Sequence, residues 1–273
     1  MAFLQYKIKS EELETKTDVL VILPTPTVAE MRKMPGYGFY RDDKRYQVLY
    51  LYHGTTGDCW DWMRFSSIER YAEEHCLAVV MPNVQNSNFH NIRDSYAYEN
   101  FVSSELPRII EWTFPVSRRR EDKFIAGLSM GGLGAFKIGM KNYGDYAAVA
   151  CLSGAFCIPE WIEKDNLAPW AAAYAPGEKL LGTAEDPFWL AQEAAKIKEN
   201  LPDLFLCCGT EDELCYADNQ RFRSHLDSLG IQYTYDEGPG AHEWAFWDKE
   251  IQKIMNWLPL KNDMVPVIGK GGF

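Results

Sequence analysis

Short apolar, β-favouring runs alternate with amphipathic helical segments along most of this chain, and that alternation limits its fold more than any other feature. The runs lie at 46–52, 77–81, 123–126, 147–152, 204–208 and 232–236. Segments at 60–75, 96–113, 131–141, 214–229 and 243–257 repeat apolar residues at three- and four-residue spacing, as helices with one buried face do. Strand–helix alternation of this kind predicts βα units and an α/β fold with a mostly parallel central sheet flanked by helices. Two more strands are expected ahead of it, at 3–9 and 19–23, followed by a Pro- and Gly-containing connection over 24–45. Pro107, inside 96–113, is expected to kink that helix. At 273 residues, 47% of them hydrophobic, residues 1–273 are expected to form a single domain. The stretch 157–190 is rich in Trp, Phe and Tyr without steady periodicity, and reads as a small inserted cap.

Charge and composition exclude several functions. A formal net charge of −11 argues against nucleic acid or an anionic membrane as a partner, and the one basic cluster, Arg118 to Arg120, is followed at once by Glu121 and Asp122. No window approaches the ~18 uninterrupted apolar residues of a membrane helix, and the N-terminus lacks the apolar core of a secretion signal, so a cytoplasmic location is expected. The seven Cys form no CxxC pair and have no metal spacing with His. Buried free thiols are expected, with Cys151, Cys207 and Cys208 in core strands, and neither a metal nor an organic cofactor is called for.

The chemistry is concentrated at one turn. Lys123-Phe-Ile-Ala-Gly-Leu-Ser-Met-Gly-Gly132 is an apolar strand running through GxSxG into a helix. With 12 Ser and 20 Gly, about 0.06 such matches arise by chance, so the strand–turn–helix setting carries much of the argument. Ser129 is the candidate nucleophile. A Ser hydroxyl needs a general base, and the base needs an orienting carboxylate. Only His225 and His242 follow Ser129; His225 falls in an amphipathic helix, whereas His242 follows a Gly-rich loop after a strand and is the candidate base. The strand at 204–208 closes in Gly-Thr and three acids, of which Asp212 is favoured by its spacing from the turn, with Glu211 and Glu213 open as alternatives. Two backbone amides are expected to form an oxyanion hole: Met130, directly after the nucleophile, and Thr55 in the loop His53-Gly-Thr-Thr-Gly57. His53 itself precedes the Ser and is expected to pin that loop.

Taken together, Leu51-Tyr-His-Gly-Thr-Thr-Gly-Asp58, Val79-Val-Met-Pro-Asn83, the GxSxG segment, Cys208-Gly-Thr-Glu-Asp212 and Gly240-Ala-His-Glu-Trp-Ala-Phe-Trp247 resemble the esterase D-like group of α/β-hydrolases over nearly the whole chain. The resemblance is nearest to bacterial tributyrin esterase and to feruloyl (cinnamoyl) and acetyl-xylan esterases, with S-formylglutathione hydrolases more distant. Those last enzymes carry a His-Ser-Tyr ending where this chain has His242-Glu-Trp244. Carried over, the resemblance implies an α/β-hydrolase fold, Ser129, Asp212 and His242 as triad, and Thr55 with Met130 as oxyanion donors. It implies a serine esterase acting on short acyl or hydroxycinnamoyl esters of plant-derived carbohydrate, with a formylglutathione-type thioesterase or an acyltransferase as alternatives. Trp60, Trp62 and the aromatics of the insertion are expected either to wall an acyl pocket or to pack in the core. The connection at 24–45 and the insertion are possible surfaces for a homo-oligomer.

Overall fold

The computed structural model describes residues 1–266 apart from 35, 37, 94, 165–168 and 198–199, so part of the predicted cap lies outside the described residues. Ten strands are present among the described residues: β1 Ala2–Ser10, β2 Thr15–Leu23, β3 Lys44–Arg45, β4 Gln47–Tyr52, β5 Leu77–Pro82, β6 Lys123–Leu128, β7 Ala148–Leu152, β8 Asp203–Gly209, β9 Thr234–Gly238 and β10 Val265–Pro266. Eight of them form one sheet in the order β1-β2-β5-β4-β6-β7-β8-β9. The β1–β2 hairpin and its junction with β5 are antiparallel, and every pairing from β5 across to β9 is parallel. The small β3–β10 ribbon stands apart from this sheet.

The helices are α1 Val28–Lys33, α2 Asp61–Phe65, α3 Ile68–Glu74, α4 Tyr98–Asn100, α5 Leu106–Thr113, α6 Met130–Lys141, α7 Ile158–Lys164, α8 Pro187–Ile197, α9 Tyr216–Leu229 and α10 Trp244–Trp257. They cover the sheet on both sides, which is why β4 is buried at every position. Alternate residues of β4 serve opposite cores: Val48, Tyr50 and Tyr52 pack on the side that includes Leu133, Phe136 and Phe222, whereas Leu49 and Leu51 meet Trp62, Ile251 and Ile254. Each such large apolar side chain contributes about 1.5–3 kcal/mol through burial.

Four expectations change in detail. The segment 60–75 is two helices, because Ser66 is extended and its hydroxyl bonds back to the Trp62 carbonyl at 2.5 Å. In 96–113 the turn Phe101–Glu105 is a π-helix, and Leu106 N–H reaches back to Phe101 O. Pro107 explains it, since it donates no hydrogen bond and its ring needs room against the preceding turn. The last parallel strand falls two residues later than expected, at Thr234–Gly238. Helix α8 runs beyond the predicted insertion, with Leu190, Ala191 and Ala194 buried.

The aromatics of the insertion serve the core. Phe188 meets Phe222 edge-on at 5.1 Å, Tyr174 lies over His90 at 4.5 Å, and Phe156, just ahead of the insertion, stacks on Phe222 at 4.0 Å. Trp62 is likewise interior, its indole N–H donating to Tyr52 O and its ring packed on Trp244. These side chains are packing elements, although Phe156 and Phe188 also border a small cavity of about 150 Å³ with Cys157 and Arg221. Six of the seven Cys are buried and all are free.

Candidate active site

Ser129 is the entire turn between β6 and α6. Its φ of 54° and ψ of −117° place a residue with a side chain in a region that costs about 1–3 kcal/mol, so the surroundings must hold it there. They do so with backbone bonds: Ser129 N–H donates to Leu152 O at 2.8 Å, and Ser129 O accepts from Leu133 and Ala155 amides at 3.1 Å. The flanking glycines are required by closeness. A Cβ on Gly127 would lie 2.3 Å from Gly131 O, and one on Gly131 would lie 2.5 Å from His53 O.

Neighbouring strands deliver the other two groups. Asp212 follows β8 in a turn closed by its own amide to Gly209 O, and His242 follows β9 just ahead of α10. His242 Nε2 is 3.0 Å from Ser129 Oγ, and His242 Nδ1 is 2.8 Å from Asp212 Oδ2. The other carboxylate oxygen of Asp212 accepts from the Leu214 and Cys215 amides. Of the three acids, Glu211 and Glu213 are exposed and Asp212 alone is buried. Burial pushes the Asp212 carboxyl up, but the hydrogen bond and charge of His242 and the Cys215 amide outweigh it and hold the group below the usual carboxylate range. With Nδ1–H directed at Asp212, Nε2 is free to accept the Ser129 proton.

The loop after β4 passes beside the serine, since a Cβ on Gly54 would stand 3.5 Å from Ser129 Cβ. Thr56 has φ 65° and its amide is taken by Asn86 Oδ1 at 2.7 Å, which fixes the turn next to Thr55. Met130 is the first residue of α6, where helix amides have no partner inside the helix. His53 is buried, receives the Val84 amide on Nε2 and directs Nδ1–H to Gly54 O, so it ties this loop to the one after β5. Burial lowers its pKa and keeps it neutral. His225, within α9, meets Phe188 O through Nε2 at 2.9 Å.

Three residues near the site are not singled out by the sequence, although Trp247 closes the segment 240–247. Asn86 holds the Thr56 amide; Ser153, with φ 45° at the end of β7, and Trp247 of α10 sit behind Asp212 and His242. Their neighbours come from separate strands and helices, so spacing gives no sign of them. Asp212, Cys215 and His242 offer ligand atoms within 4.8 Å of one another, but the Asp212–His242 hydrogen bond uses two of those atoms and burial raises the Cys215 thiol strongly. The donor set suits a proton relay better than a metal. Cavities of about 710 and 580 Å³ lie elsewhere, one among Met140, Leu204 and Trp257, the other among Tyr46, Trp112 and Phe114.

An α/β-hydrolase sheet with a Ser-His-Asp cluster at the ends of its parallel strands defines the class of a serine hydrolase. The Esterase family, described as "Putative esterase", matches residues 10–258, and the chain belongs to that family. It is 29% identical to an acetyl esterase of Caldicellulosiruptor saccharolyticus, covering 96% of this chain and 100% of that protein. Among solved structures, FphF, a fluorophosphonate-binding serine hydrolase of Staphylococcus aureus, superposes with a TM-score of 0.84 at 31% identity, covering 94% of this chain and 98% of that one. S-formylglutathione hydrolase (FrmB) of the same organism gives 0.82 at 32% identity with the same coverage. The chain is thus as similar to a formylglutathione hydrolase as to an acetyl esterase, where the resemblance in its motifs implied a greater distance. It is an ester hydrolase of the serine type, and no described helix is long and apolar enough to cross a membrane.

Proposed function

We propose that the chain hydrolyses short-chain acyl or hydroxycinnamoyl esters, such as those carried on plant-derived carbohydrate, through an acyl-enzyme on Ser129. The supporting observation is the hydrogen-bonded line from Ser129 Oγ through His242 to Asp212, at 3.0 and 2.8 Å. In the first half-reaction Ser129 Oγ attacks the ester carbonyl carbon while His242 Nε2 takes its proton. The Thr55 and Met130 amides receive the oxyanion, a contribution of about 2.7–4 kcal/mol per donor in comparable sites. Asp212 stabilises the imidazolium, which then protonates the departing alcohol. Water repeats the sequence on the acyl-enzyme and releases the acid. Residues 157–190 form the small cap of this single domain in our reading, although their described aromatics face the core.

A second reading, hydrolysis of a thioester such as S-formylglutathione, is favoured by the 32% identity to the staphylococcal enzyme. The same triad serves either leaving group. Competing kcat/KM values for acetylated xylan oligosaccharides, methyl ferulate, tributyrin and S-formylglutathione decide between them. A preference for the ester substrates supports the first reading, and a preference of a hundredfold or more for the thioester overturns it.

A further inference from the structure

Behind the Asp212–His242 pair lies a buried polar link that the hydrolytic steps above do not use. Trp247, 5% exposed, donates its indole N–H to Ser153 Oγ at 3.1 Å, and Ser153 is wholly buried. An indole nitrogen only donates, so Ser153 accepts from it and its own hydroxyl proton points onward. On that side lies Cys208 Sγ and, past it, the Asp212 carboxylate, whose pKa Ser153 helps to lower after the larger effects of His242 and the Cys215 amide. Cys208 Sγ sits between the two, 3.8 Å from Ser153 Oγ and 3.6 Å from Asp212 Oδ2. The same Trp247 ring meets the His242 imidazole edge to face, with centroids 4.9 Å apart and planes at 89°.

We propose that Ser153 and Trp247 are positioning residues for the triad: the indole N–H aims the Ser153 hydroxyl at Asp212, while the indole ring fixes the plane of His242. The inference rests on the catalytic roles proposed above for Asp212 and His242. Packing alone would be met by any small residue at the end of β7, yet Ser153 is held at φ 45° by its amide to Cys207 O, and its hydroxyl lies between the Trp247 indole and the Cys208 sulfur that contacts Asp212. The carboxylate it acts on is the one that must not rotate when His242 gains a proton.

The consequence is a change in the pH profile. The titratable groups facing Asp212 are Cys208 of β8, Cys215 ahead of α9 and His242 ahead of α10; burial pushes both thiols up, out of the working range. Loss of the Ser153 bond leaves more charge on the Asp212 oxygens that face His242. The imidazolium is then held more tightly, and the acidic limb of the kcat/KM profile moves to higher pH.

The test compares Ser153→Ala, Trp247→Phe and the double variant with the parent on p-nitrophenyl acetate across pH. The expected result is a kcat about tenfold lower for Ser153→Ala with KM little changed, an acidic limb moved upward, and a double variant no slower than Ser153→Ala alone. Losses that multiply in the double variant, or an acidic limb that stays where it was, overturn the proposal. If Ser153→Ala does not fold, Trp247→Phe keeps an aromatic ring without the N–H and decides the matter by its own acidic limb. Ser129→Ala is assayed alongside: full turnover there refutes the triad itself, whereas an inactive Ser129→Ala with unaltered Ser153→Ala refutes only the positioning role.

Discussion

Lys137 Nζ, wholly buried on α6, lies 2.5 Å from Glu185 Oε2 in the segment that leads into α8. The ammonium also donates to Asn88 O at 3.1 Å, and Glu185 is shared with Lys141 and His90. Burial pulls the Lys137 pKa down while the Glu185 charge acts against it, and three oxygen acceptors surround Nζ. This cluster ties the insertion, the nucleophile helix and the loop after β5 into one body. Removing one partner of a buried pair costs about 3–5 kcal/mol. Lys137→Met is expected to lower the stability to unfolding in urea by an amount in that range, and a shift in midpoint too small to resolve would contradict the clamp.

Glu185 also dictates how stability responds to acid. Burial raises its pKa, but Lys137, His90 and Lys141 overcome this and hold it far below the ordinary value; Asp122 is held low in the same sense by Ser117, Lys261 and Arg119 against its burial. A depressed folded pKa means that the unfolded chain binds more protons. The stabilisation is therefore complete above the unfolded carboxyl values of about 3.9–4.3 and is lost as pH falls through and below them. Urea midpoints are expected to drop from pH 5 to 3, beyond the decline that the buried neutral His53 causes between pH 7 and 5. In Glu185→Gln that drop should be shallower.

Asn86 supports the oxyanion loop through the amide of Thr56. Asn86→Ala removes that acceptor from a residue at φ 65°, frees the turn and misdirects the Thr55 amide. The expected effect is a fall in kcat of about tenfold or more, within the cost of losing one oxyanion donor, with KM little changed. Thr55→Ala leaves the backbone donor in place and should remain close to the parent. Steady-state kinetics on p-nitrophenyl acetate measure both.

Backbone closeness at the serine turn predicts a sharp contrast between two glycines. Gly131→Ala places a methyl 2.5 Å from His53 O, where only backbone could yield, while Gly144 has nothing within 4 Å of its would-be Cβ. Gly131→Ala should lose both solubility and activity. Gly144→Ala should retain both, as purified yield and specific activity will show.

Much of this site is legible in the sequence, for physical reasons that differ from residue to residue. The parallel strands carry continuous apolar runs because both faces of the sheet are buried, so β4 to β8 are located to within two residues. Ser129 and its glycines form a local motif, and His242 and Asp212 end up beside it because βα connections bring strand ends to one edge. The antiparallel hairpin of β1 and β2, at the side of the sheet opposite β9, had no marker of direction. Ser66 broke a helix through a side-chain bond to Trp62 that no periodicity reveals, and the insertion's aromatics looked available for substrate while their partners on α6 and α9 were far away in sequence. Ser153, Trp247 and Asn86 act through contacts 94 and 30 residues long, beyond any spacing rule.

The central claim is that Ser129 carries the acyl group. Mass spectrometry of the intact protein after a fluorophosphonate probe, with peptide mapping, and parallel assay of Ser129→Ala on p-nitrophenyl acetate, test it most directly. The expected result is a single adduct on Ser129 in the parent, no adduct in Ser129→Ala, and a loss of several orders of magnitude in kcat from a variant that remains folded. An adduct on another residue, or turnover by Ser129→Ala near that of the parent, would contradict it.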